Sequence, residues 1–369
     1  MALTEKGRNA VKKIIDNYPH GAFSAKDLSD ACGEKIVAAT LNSVANNGYI
    51  NKLGGSPVQY EAIDNLVEIF EKITSEDISK GCDNTNLRTA KSVKNDEFYT
   101  RYEDIEAEVM KYRKQFRDKI VYLPCDDPAE KKSEFWSFFV NNFDSFGLKK
   151  LIATHYNEEG KAYKIWIDSD TTNDGFIDDA DAMQEDLEGN GDFRSPECLE
   201  IMRECDIVCT NPPFSLFREF VDAIMAANKS FLIIGNQNAL KYKDIFPLIK
   251  DGKVWTGYNM VKHFNQPDGS VKTFGNVCWF TNLHTTKRNE ELILTKEYNT
   301  IEYPKYDTYD VIEVDKVANI PKDYDGVMGV PVTFLDKYNP DQFEIVGNIN
   351  SPTIDNTAKY YRVLIRRKK

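Results

Sequence analysis

The sequence predicts an α/β protein whose main domain is a doubly wound, mostly parallel sheet, with a small helical domain before it and a recognition region after it. Three observations indicate this arrangement. From residue 96 onward, short apolar segments typical of buried strands alternate with amphipathic helical segments. Residues 1–68 instead show helical periodicity and then a hairpin pattern. Residues 285–369 lose the alternation, are predicted to be poor in strands, and become rich in Tyr, Asp, Asn and Pro.

Residues 1–68 have the element order of a winged helix, which is three helices and then a hairpin. The predicted helices span residues 6–17, 25–33 and roughly 34–47. Ser24 is a suitable N-cap for the second helix, and Gly33 ends it. A hairpin is predicted over residues 49–62. The third helix has little positive charge beyond Lys35, so contact with DNA and a role in protein contacts or packing both stay open.

Residues 69–92 are polar and charged and are predicted to be a linker, and residues 93–284 form the predicted main domain. Its predicted strands are the apolar segments 119–123, 149–155, 163–167, 206–210, 231–235 and 277–281. The predicted helices between them include 133–142 and 215–227. Such an alternation is Rossmann-like, and it places ligands at the carboxyl ends of the strands.

Composition predicts a folded protein without a membrane span. Hydrophobic residues make up 41% and aromatic residues 12% of the 369 residues, which is enough for a sizeable core. No apolar run approaches the roughly 20 residues that a membrane helix needs, and the chain begins with polar residues. The seven cysteines include no C-x-x-C pair, so neither a disulfide framework nor a zinc site is indicated. We therefore expect a reduced, cytoplasmic protein with no membrane partner.

The net charge of −12 does not exclude nucleic acid as a partner, because the charge is concentrated in one segment. Residues 168–200 hold twelve Asp and Glu against one Arg, so the remainder of the chain is close to neutral. The C-terminal tail is basic through Arg362, Arg366, Arg367, Lys368 and Lys369. Binding to nucleic acid therefore stays open.

The clearest chemical signal is Asn211-Pro212-Pro213-Phe214, which directly follows the predicted strand 206–210. Two prolines fix the backbone and remove two N–H donors, so the loop is stiff and its carbonyls are free to accept hydrogen bonds. The Asn211 side-chain oxygen and the Pro212 carbonyl suit the two hydrogens of an exocyclic amine, while the ring that carries the amine stacks on Phe214. An ordinary strand-to-helix turn is the alternative interpretation.

This motif is typical of amino-group methyltransferases that use S-adenosylmethionine, and the likeness extends well beyond it. The family that the chain resembles is the EcoRI-type adenine-specific DNA methyltransferases, through NDEFYT, YLPCDDP, GDFRSPEC, TNPPFSLFREF and YDGVMGVPVTFLDKYNPDQFEIVG. The resemblance covers about residues 93–369 and leaves the N-terminal winged-helix-like domain outside. It implies a class I methyltransferase fold, S-adenosyl-L-methionine as cofactor, double-stranded DNA as partner, and residues 285–369 as a target-recognition region. A cognate restriction endonuclease and the oligomeric state stay open.

The resemblance also implies roles for single residues. Asn211, Pro212, Pro213 and Phe214 match the catalytic motif. The residues that match cofactor-binding segments are Tyr99, Thr100, Cys125, Asp126, Asp127, Asp192 and Phe193. In this assignment the Asp192 carboxylate holds the adenine amine of the cofactor, and Phe193 covers its ring.

Two further positions follow less directly. The second strand of such enzymes ends in an acid that holds the cofactor ribose, whereas this chain has Thr154-His155-Tyr156 there, with Asp168 as a speculative substitute. Trp279, on the late strand 276–282, is the predicted second stacking face for the target base.

An acidic segment, residues 170–181, has the spacing of a calcium loop, with acids at positions 1, 5, 9 and 12 and glycine at position 6. Position 3 is Thr, position 12 is Asp, and no helix precedes the segment. We therefore interpret it as a solvated loop and predict no metal.

The predicted activity is methyl transfer to the N6 amine of an adenine in duplex DNA. The base must be flipped out, because its amine otherwise lies inside the helix. Cytosine N4, an RNA adenine or a protein glutamine amide would suit the same motif. A catalytically inactive regulator that binds DNA through the winged helix is an alternative of another class.

Overall fold

The computed structural model describes residues 5–18, 20–33, 35–46, 49–63, 66, 98–126, 134–157, 161–266 and 269–368. The chain divides into two compact units, Met1–Thr89 and Ala90–Lys369. The predicted linker 69–92 lies outside the described residues, as does Asp127. In the described part of the chain, no helix is both long and apolar enough to cross a membrane.

The first unit contains three helices and a small antiparallel sheet. Its elements are α1 (Glu5–Asn17), β1 (Ala22–Ser24), α2 (Ala25–Cys32), α3 (Ala38–Asn46), β2 (Ile50–Gly54) and β3 (Gln59–Ala62). The strand order is β1-β3-β2. Ser24 caps α2, because its Oγ accepts from the Asp27 N–H at 3.2 Å while the Asp27 carboxylate accepts from the Ser24 N–H at 2.8 Å. The three helices and the hairpin occur in the predicted order, the short strand β1 was not predicted, and the assignment as a winged helix stays a prediction.

The second unit is built on a sheet that has nine strands within the described residues, in the order β4-β11-β12-β10-β9-β5-β6-β7-β8. These strands are β4 (Tyr99–Thr100), β5 (Ile120–Leu123), β6 (Lys150–His155), β7 (Tyr163–Ile167), β8 (Met183–Asp186), β9 (Ile207–Thr210), β10 (Ser230–Asn236), β11 (Trp255–Asn265) and β12 (Val271–Thr281). The helices are α4 (Tyr102–Val109), α5 (Glu134–Asn141), α6 (Phe143–Phe146), α7 (Pro196–Glu204), α8 (Phe217–Ala226) and α9 (Phe246–Lys250).

The sheet is mixed, so the prediction of a mostly parallel sheet is wrong. Only the central strands β10, β9, β5 and β6 run parallel, and the strands on both flanks are antiparallel. For two of these antiparallel pairs the reason is the length of the connection. Residues 156–162 join β6 to β7 and residues 266–270 join β11 to β12, whereas a parallel crossover needs a dozen residues or more.

The prediction of a strand-poor C-terminal region is also wrong. It contains β13 (Ile312–Glu313), β14 (Met328–Pro331), β15 (Phe343–Ile349), β16 (Thr353–Ile354), β17 (Thr357–Ala358) and β18 (Arg362–Arg367). Four of them form a sheet in the order β13-β14-β18-β15. One hydrophobic cluster includes Val208 and Ile233 of the large sheet together with Ile345 and Ile365 of this one. The hydrophobic core is therefore continuous across residue 285. The division into a main domain that ends at residue 284 and a recognition region that begins at residue 285 stays a prediction.

Candidate active site

The parallel strands bring their carboxyl ends to one edge of the large sheet, and a cavity of about 300 Å³ opens there. It lies among the segments that follow β5, β6 and β9 and the loop before α7. The predicted site residues that line it are Tyr99, Cys125, Asp126, Asp192, Phe193, Asn211, Pro212, Pro213 and Phe214. Residues that are far apart in sequence thus meet because the topology joins these strand ends.

The orientation of the Asn211 amide is fixed from outside its own loop. The Asn211 Nδ2 donates to the Phe98 carbonyl at 2.5 Å, which leaves the Asn211 Oδ1 as the acceptor that remains. This oxygen is buried, and it has no hydrogen-bond partner among the described residues. The side chain thus offers an unsatisfied acceptor at the pocket.

The two prolines set the path of the chain out of β9. Pro213 has φ −53° and ψ 125°, and its carbonyl accepts from the Leu216 N–H at 2.9 Å. A short 3₁₀ helix, Phe214–Leu216, follows and leads into α8. The loop is therefore short and braced at both ends, which holds Phe214 beside Asn211.

Phe214 belongs to a cluster of four aromatic rings. Its ring centroid lies 5.9 Å from that of Phe98, 6.2 Å from that of Phe264 and 6.1 Å from that of Phe274. Phe98 and Phe274 are themselves 4.9 Å apart, ring edge to ring face. No sequence pattern predicted that these three rings lie beside Phe214. Phe98 stands beside the predicted Tyr99 and could have been found, whereas Phe264 and Phe274 lie on β11 and the first half of β12, which the pattern did not predict.

A buried carboxylate supports the loop from β5. Asp126 is 3% exposed and accepts a hydrogen bond from the Thr210 hydroxyl, on the residue just before Asn211. The neighbouring Cys125 also lines the pocket, and burial raises the pKa of its thiol well above the ordinary value. A raised pKa keeps this sulfur protonated at neutral pH, so it is a weak nucleophile.

Asp192 is held in the pocket by Arg194. The Asp192 Oδ1 accepts from the Arg194 backbone N–H at 2.8 Å and from its Nε at 2.9 Å, and Oδ2 accepts from Nη2 at 2.7 Å. These hydrogen bonds lower the pKa of the Asp192 carboxyl. Since Oδ1 uses both lone pairs, Oδ2 keeps one acceptor position for a further donor.

Phe193 and Gly191 complete this wall of the pocket. Phe193 is buried against Phe220, ring edge to ring face at 4.9 Å, and the Arg194 guanidinium lies 5.4 Å from its ring centroid. Gly191 has φ +75°, and a Cβ there would come within 2.1 Å of the His155 carbonyl oxygen. Only glycine lets the loop pass this close to the end of β6.

The end of β6 supplies Thr154, His155 and Tyr156 to the pocket. Tyr156 is 51% exposed, whereas the His155 ring stacks on Tyr163 with centroids 4.8 Å apart. Asp168, the speculative ribose partner, instead lies 3.5 Å from the Lys150 ammonium and does not line the pocket.

Two predicted residues lie elsewhere. Trp279 is fully buried in the middle of the sheet, 5.9 Å from Phe135 between ring centroids, and it does not reach the pocket. The cause is the strand alternation, which turns this ring into the core. Trp279 therefore lies outside the pocket. Thr100 is buried in β4 opposite Phe264 and does not line the pocket.

In the acidic loop, residues 170–181, backbone N–H groups of the loop itself donate hydrogen bonds to the Asp181 carboxylate. Asp181 accepts from the backbone N–H groups of Thr171 at 2.7 Å, Thr172 at 3.0 Å and Asp178 at 3.0 Å. Led by the Thr172 bond, these contacts lower the pKa of Asp181 to about 2. No cluster of His, Cys, Asp or Glu with metal-binding geometry occurs within the residues that the structure describes.

An Asn-Pro-Pro-Phe loop at the carboxyl end of a central parallel strand, beside a pocket at the sheet edge, is the arrangement of an α/β methyltransferase. The chain belongs to the family of adenine-specific methyltransferases of the EcoRI type, whose sequence model matches residues 86–368. The protein is thus a site-specific DNA methyltransferase, and residues 1–85 lie outside the family match.

Three curated relatives are similar over most of their length. The chain is 40% identical to the type II methyltransferase M.EcoRI of Escherichia coli, over 79% of this chain and 99% of the relative. It is 39% identical to the type II methyltransferase M.MgeORF184P of Mycoplasma genitalium, over 72% and 87%. It is 37% identical to the type II methyltransferase M.MpnI of Mycoplasma pneumoniae, over 74% and 90%. No solved structure matches the chain significantly.

Proposed function

We propose that the protein transfers a methyl group from S-adenosyl-L-methionine to the N6 amine of an adenine flipped out of duplex DNA. The observation that carries the proposal is the Asn211 Oδ1, a buried acceptor at the pocket without a partner among the described residues. A buried polar atom without a hydrogen bond costs about 1–3 kcal/mol. An amine that donates to this oxygen removes the cost, so the pocket favours an amine-bearing ligand.

The residues present fit the proposed cofactor. S-adenosyl-L-methionine supplies an electrophilic methyl group on a positively charged sulfur. The Asp126 and Asp192 carboxylates line the pocket and suit a cationic ligand. Phe193 offers an aromatic ring, and the free lone pair on the Asp192 Oδ2 suits an adenine amine. The volume of about 300 Å³ is at the lower end of the range for small-molecule sites.

The chain's own groups prepare the acceptor amine. The amine of adenine is a weak nucleophile, because its lone pair is delocalised into the ring. The Asn211 Oδ1 and the Pro212 carbonyl accept its two hydrogens and hold the nitrogen pyramidal, which localises the lone pair. The Phe98 carbonyl contributes indirectly. It accepts a hydrogen bond from the Asn211 Nδ2, and this keeps the Asn211 Oδ1 directed toward the adenine amine. No general base is required before the transfer, since the nitrogen becomes acidic only after it is alkylated.

Phe214 supplies the stacking surface for the flipped base. Extruding a base costs a few kcal/mol, and stacking on an aromatic side chain contributes about 1–3 kcal/mol per base. The cluster with Phe98, Phe264 and Phe274 keeps the Phe214 ring in place, so little side-chain freedom is lost when the base binds.

The test is methyl transfer by the purified protein from tritium-labelled S-adenosyl-L-methionine to unmethylated duplex DNA, followed by digestion to nucleosides. We expect the label in N6-methyldeoxyadenosine, and methylation-aware sequencing of the product gives the target site. Label in N4-methyldeoxycytidine would correct the acceptor. Label that appears only on RNA or protein, or no transfer at all, would contradict the proposal.

A further inference from the structure

The hairpin of β11 and β12 extends past the edge of the sheet at which the active site lies. β12 pairs with β10 only as far as Val277, which lies opposite Asn236 at the carboxyl end of β10. Residues 271–276 of β12 continue beyond that point, which at about 3.3 Å per residue is an overhang of about 20 Å. Since β10 runs parallel to β9, the overhang projects on the side where Asn211 follows β9.

A bulge directs one face of this overhang toward the catalytic loop. Val261 pairs with Val277 and His263 pairs with Thr273, so residues 274–276 of β12 face Lys262 alone. Phe274 within the bulge contacts Phe214, and it also contacts Phe264 at 5.6 Å between ring centroids. Phe264 and Phe274 therefore share the face that meets the Asn-Pro-Pro-Phe loop.

Lys272 lies on that same face. It stands directly opposite Phe264 in the register, and residues opposite each other on antiparallel strands have Cβ atoms about 4.5–5.5 Å apart on one side of the sheet. It is also two residues before Phe274, which is the spacing of side chains on one face. A lysine side chain thus stands beside the aromatic cluster that receives the target base in the proposed function.

The overhang is cationic although the protein is acidic. Residues 262–276 contain Lys262, His263 and Lys272, and Asp268 is the one acidic residue in this part of the sequence. Lys262 is exposed, Lys272 is half-buried, and the His263 ring is hydrogen-bonded to the Thr273 hydroxyl at 3.2 Å. A strand of DNA whose base enters the pocket must carry its backbone past this edge, and the charge of the overhang complements phosphate.

We propose that the overhang, of which the structure describes residues 262–266 and 269–276, is a clamp for the DNA strand that carries the target adenine, and that Lys272 binds a phosphate next to that nucleotide. The inference rests on the proposed function, because it places the strand by the flipped base. Lys272 is a positioning residue: it holds the backbone while Asn211 and the Pro212 carbonyl engage the amine. Lys262, on the opposing strand and facing the bulge, extends the same cationic surface.

The test compares Lys272→Gln with Lys272→Arg and with the control Lys253→Gln. Lys253 is also a surface lysine, with 58% of its side chain exposed, and it precedes β11 at the opposite edge of the sheet. Binding of duplex DNA with the target site is measured at several salt concentrations. Each phosphate contact contributes about 0.9 to the slope of log affinity against log salt, so Lys272→Gln should bind several-fold more weakly with a slope shallower by about one. Lys272→Arg and Lys253→Gln should keep the wild-type slope.

A second arm identifies the phosphate. Duplexes with one neutral methylphosphonate on either side of the target adenine are compared with the unmodified duplex. Neutralising the phosphate that Lys272 binds should weaken binding by the wild type and leave Lys272→Gln unaffected. S-adenosyl-L-methionine binding, measured by calorimetry, should be the same in all variants.

Two results would overturn the inference: an unchanged salt slope for Lys272→Gln, or equal losses for wild type and variant on every neutralised duplex. Failure of the proposed function is recognised separately, because the wild type would then put no methyl group on adenine. If the wild type does methylate adenine, the DNA-binding measurements then test the clamp by themselves.

Discussion

At the scale of single residues, the chemistry depends on how one amide is oriented. Asn211 could present either its oxygen or its nitrogen to a ligand, and the Phe98 carbonyl decides between them by accepting from the Nδ2. The oxygen is then buried without a donor. The oxygen is a preorganised acceptor, because the free-energy cost of burying it and fixing its direction is met when the protein folds.

Replacing Asn211 by Ala should remove most of the catalytic rate while leaving cofactor binding within several-fold of the wild type. One preorganised hydrogen-bond partner contributes about 10²–10³-fold to rate, or about 3–4 kcal/mol. The measurements are the single-turnover rate of methylation and calorimetric binding of S-adenosyl-L-methionine. Asn289→Ala, at an exposed position outside the pocket, is the control and should behave as the wild type. Retention of more than about a tenth of the rate would contradict the role of Asn211.

Asp192→Ala should weaken binding of S-adenosyl-L-methionine and leave binding of DNA without cofactor near normal. The carboxylate has one acceptor position left, and a ligand amine that loses this partner is penalised by about 1–3 kcal/mol. Asp186→Ala is the matched control, since Asp186 belongs to the same acidic segment but pairs with Lys161 at 3.0 Å. An unchanged cofactor affinity for Asp192→Ala would show that Asp192 belongs only to the acidic surface.

The pH dependence of cofactor binding should move when Arg194 is replaced. Hydrogen bonds from Arg194 stabilise the ionised Asp192 carboxylate and so lower the pKa of this group below its ordinary value of 3.8. This stabilisation is fully present above pH 3.8 and is lost as the pH falls through the lowered pKa. Arg194→Gln should therefore raise the pH at which cofactor affinity begins to fall in acid. Calorimetric titrations across a pH series measure this midpoint. The same midpoint in the wild type and in Arg194→Gln would show that Arg194 does not set the pKa of Asp192.

At the scale of elements, the C-terminal sheet is held by a buried ion pair. Arg362 on β18 contacts Glu313 on β13 with two nitrogens, and the Tyr306 hydroxyl donates to the same carboxylate. Both charged side chains are 9% exposed. β13 and β18 are each paired with β14 and not with each other, so this pair ties strands that the hydrogen-bond ladder leaves separate.

Arg362→Met should lower the free energy of unfolding by about 3–5 kcal/mol, because it leaves a buried carboxylate without its cation. The measurement is the midpoint of denaturant unfolding, followed by circular dichroism. Arg366→Gln on the same strand is the control, since Arg366 is 47% exposed and lies 3.6 Å from Glu344, where an ion pair contributes about 0–1 kcal/mol. Equal losses of unfolding free energy for the two substitutions would show that burial of the Arg362–Glu313 pair does not determine its contribution to stability.

At the scale of the whole molecule, the chain has two compact units, and the family match covers almost only the second. The chain divides between residues 89 and 90, and the family match begins at residue 86. The N-terminal unit is nearly neutral, with seven Lys and Arg against eight Asp and Glu over residues 1–68. We expect it to add affinity for DNA without taking part in the chemistry.

A chain that begins at Lys91 should fold, bind S-adenosyl-L-methionine and methylate the same sequence as the full-length protein. Its affinity for DNA should be lower and its salt dependence shallower, because phosphate contacts by the first unit are lost. Methylation-aware sequencing and binding at several salt concentrations test this. An insoluble product would mean that residues 1–68 belong to the packing of the catalytic unit. Methylation of a relaxed or different sequence would mean that the first unit reads bases.

The sequence by itself determined the parts of this protein that depend on local pattern. The strand before Asn211, the stiff Asn-Pro-Pro-Phe loop, the helix after it and the Ser24 cap are all set by neighbours within a few residues. The central strands were predicted to within one or two residues at their ends, because β5, β6, β9 and β10 are short apolar runs between turns.

Only the tertiary structure decided how these parts meet. The Phe98 carbonyl that orients Asn211 is 113 residues away in sequence, and Phe264 and Phe274 reach Phe214 through a hairpin with a bulge that no local pattern shows. Strand direction and the burial of Trp279 likewise follow from pairing. Periodicity in a sequence reports which side of an element is buried, whereas its neighbours are chosen by packing and hydrogen bonding over the whole chain.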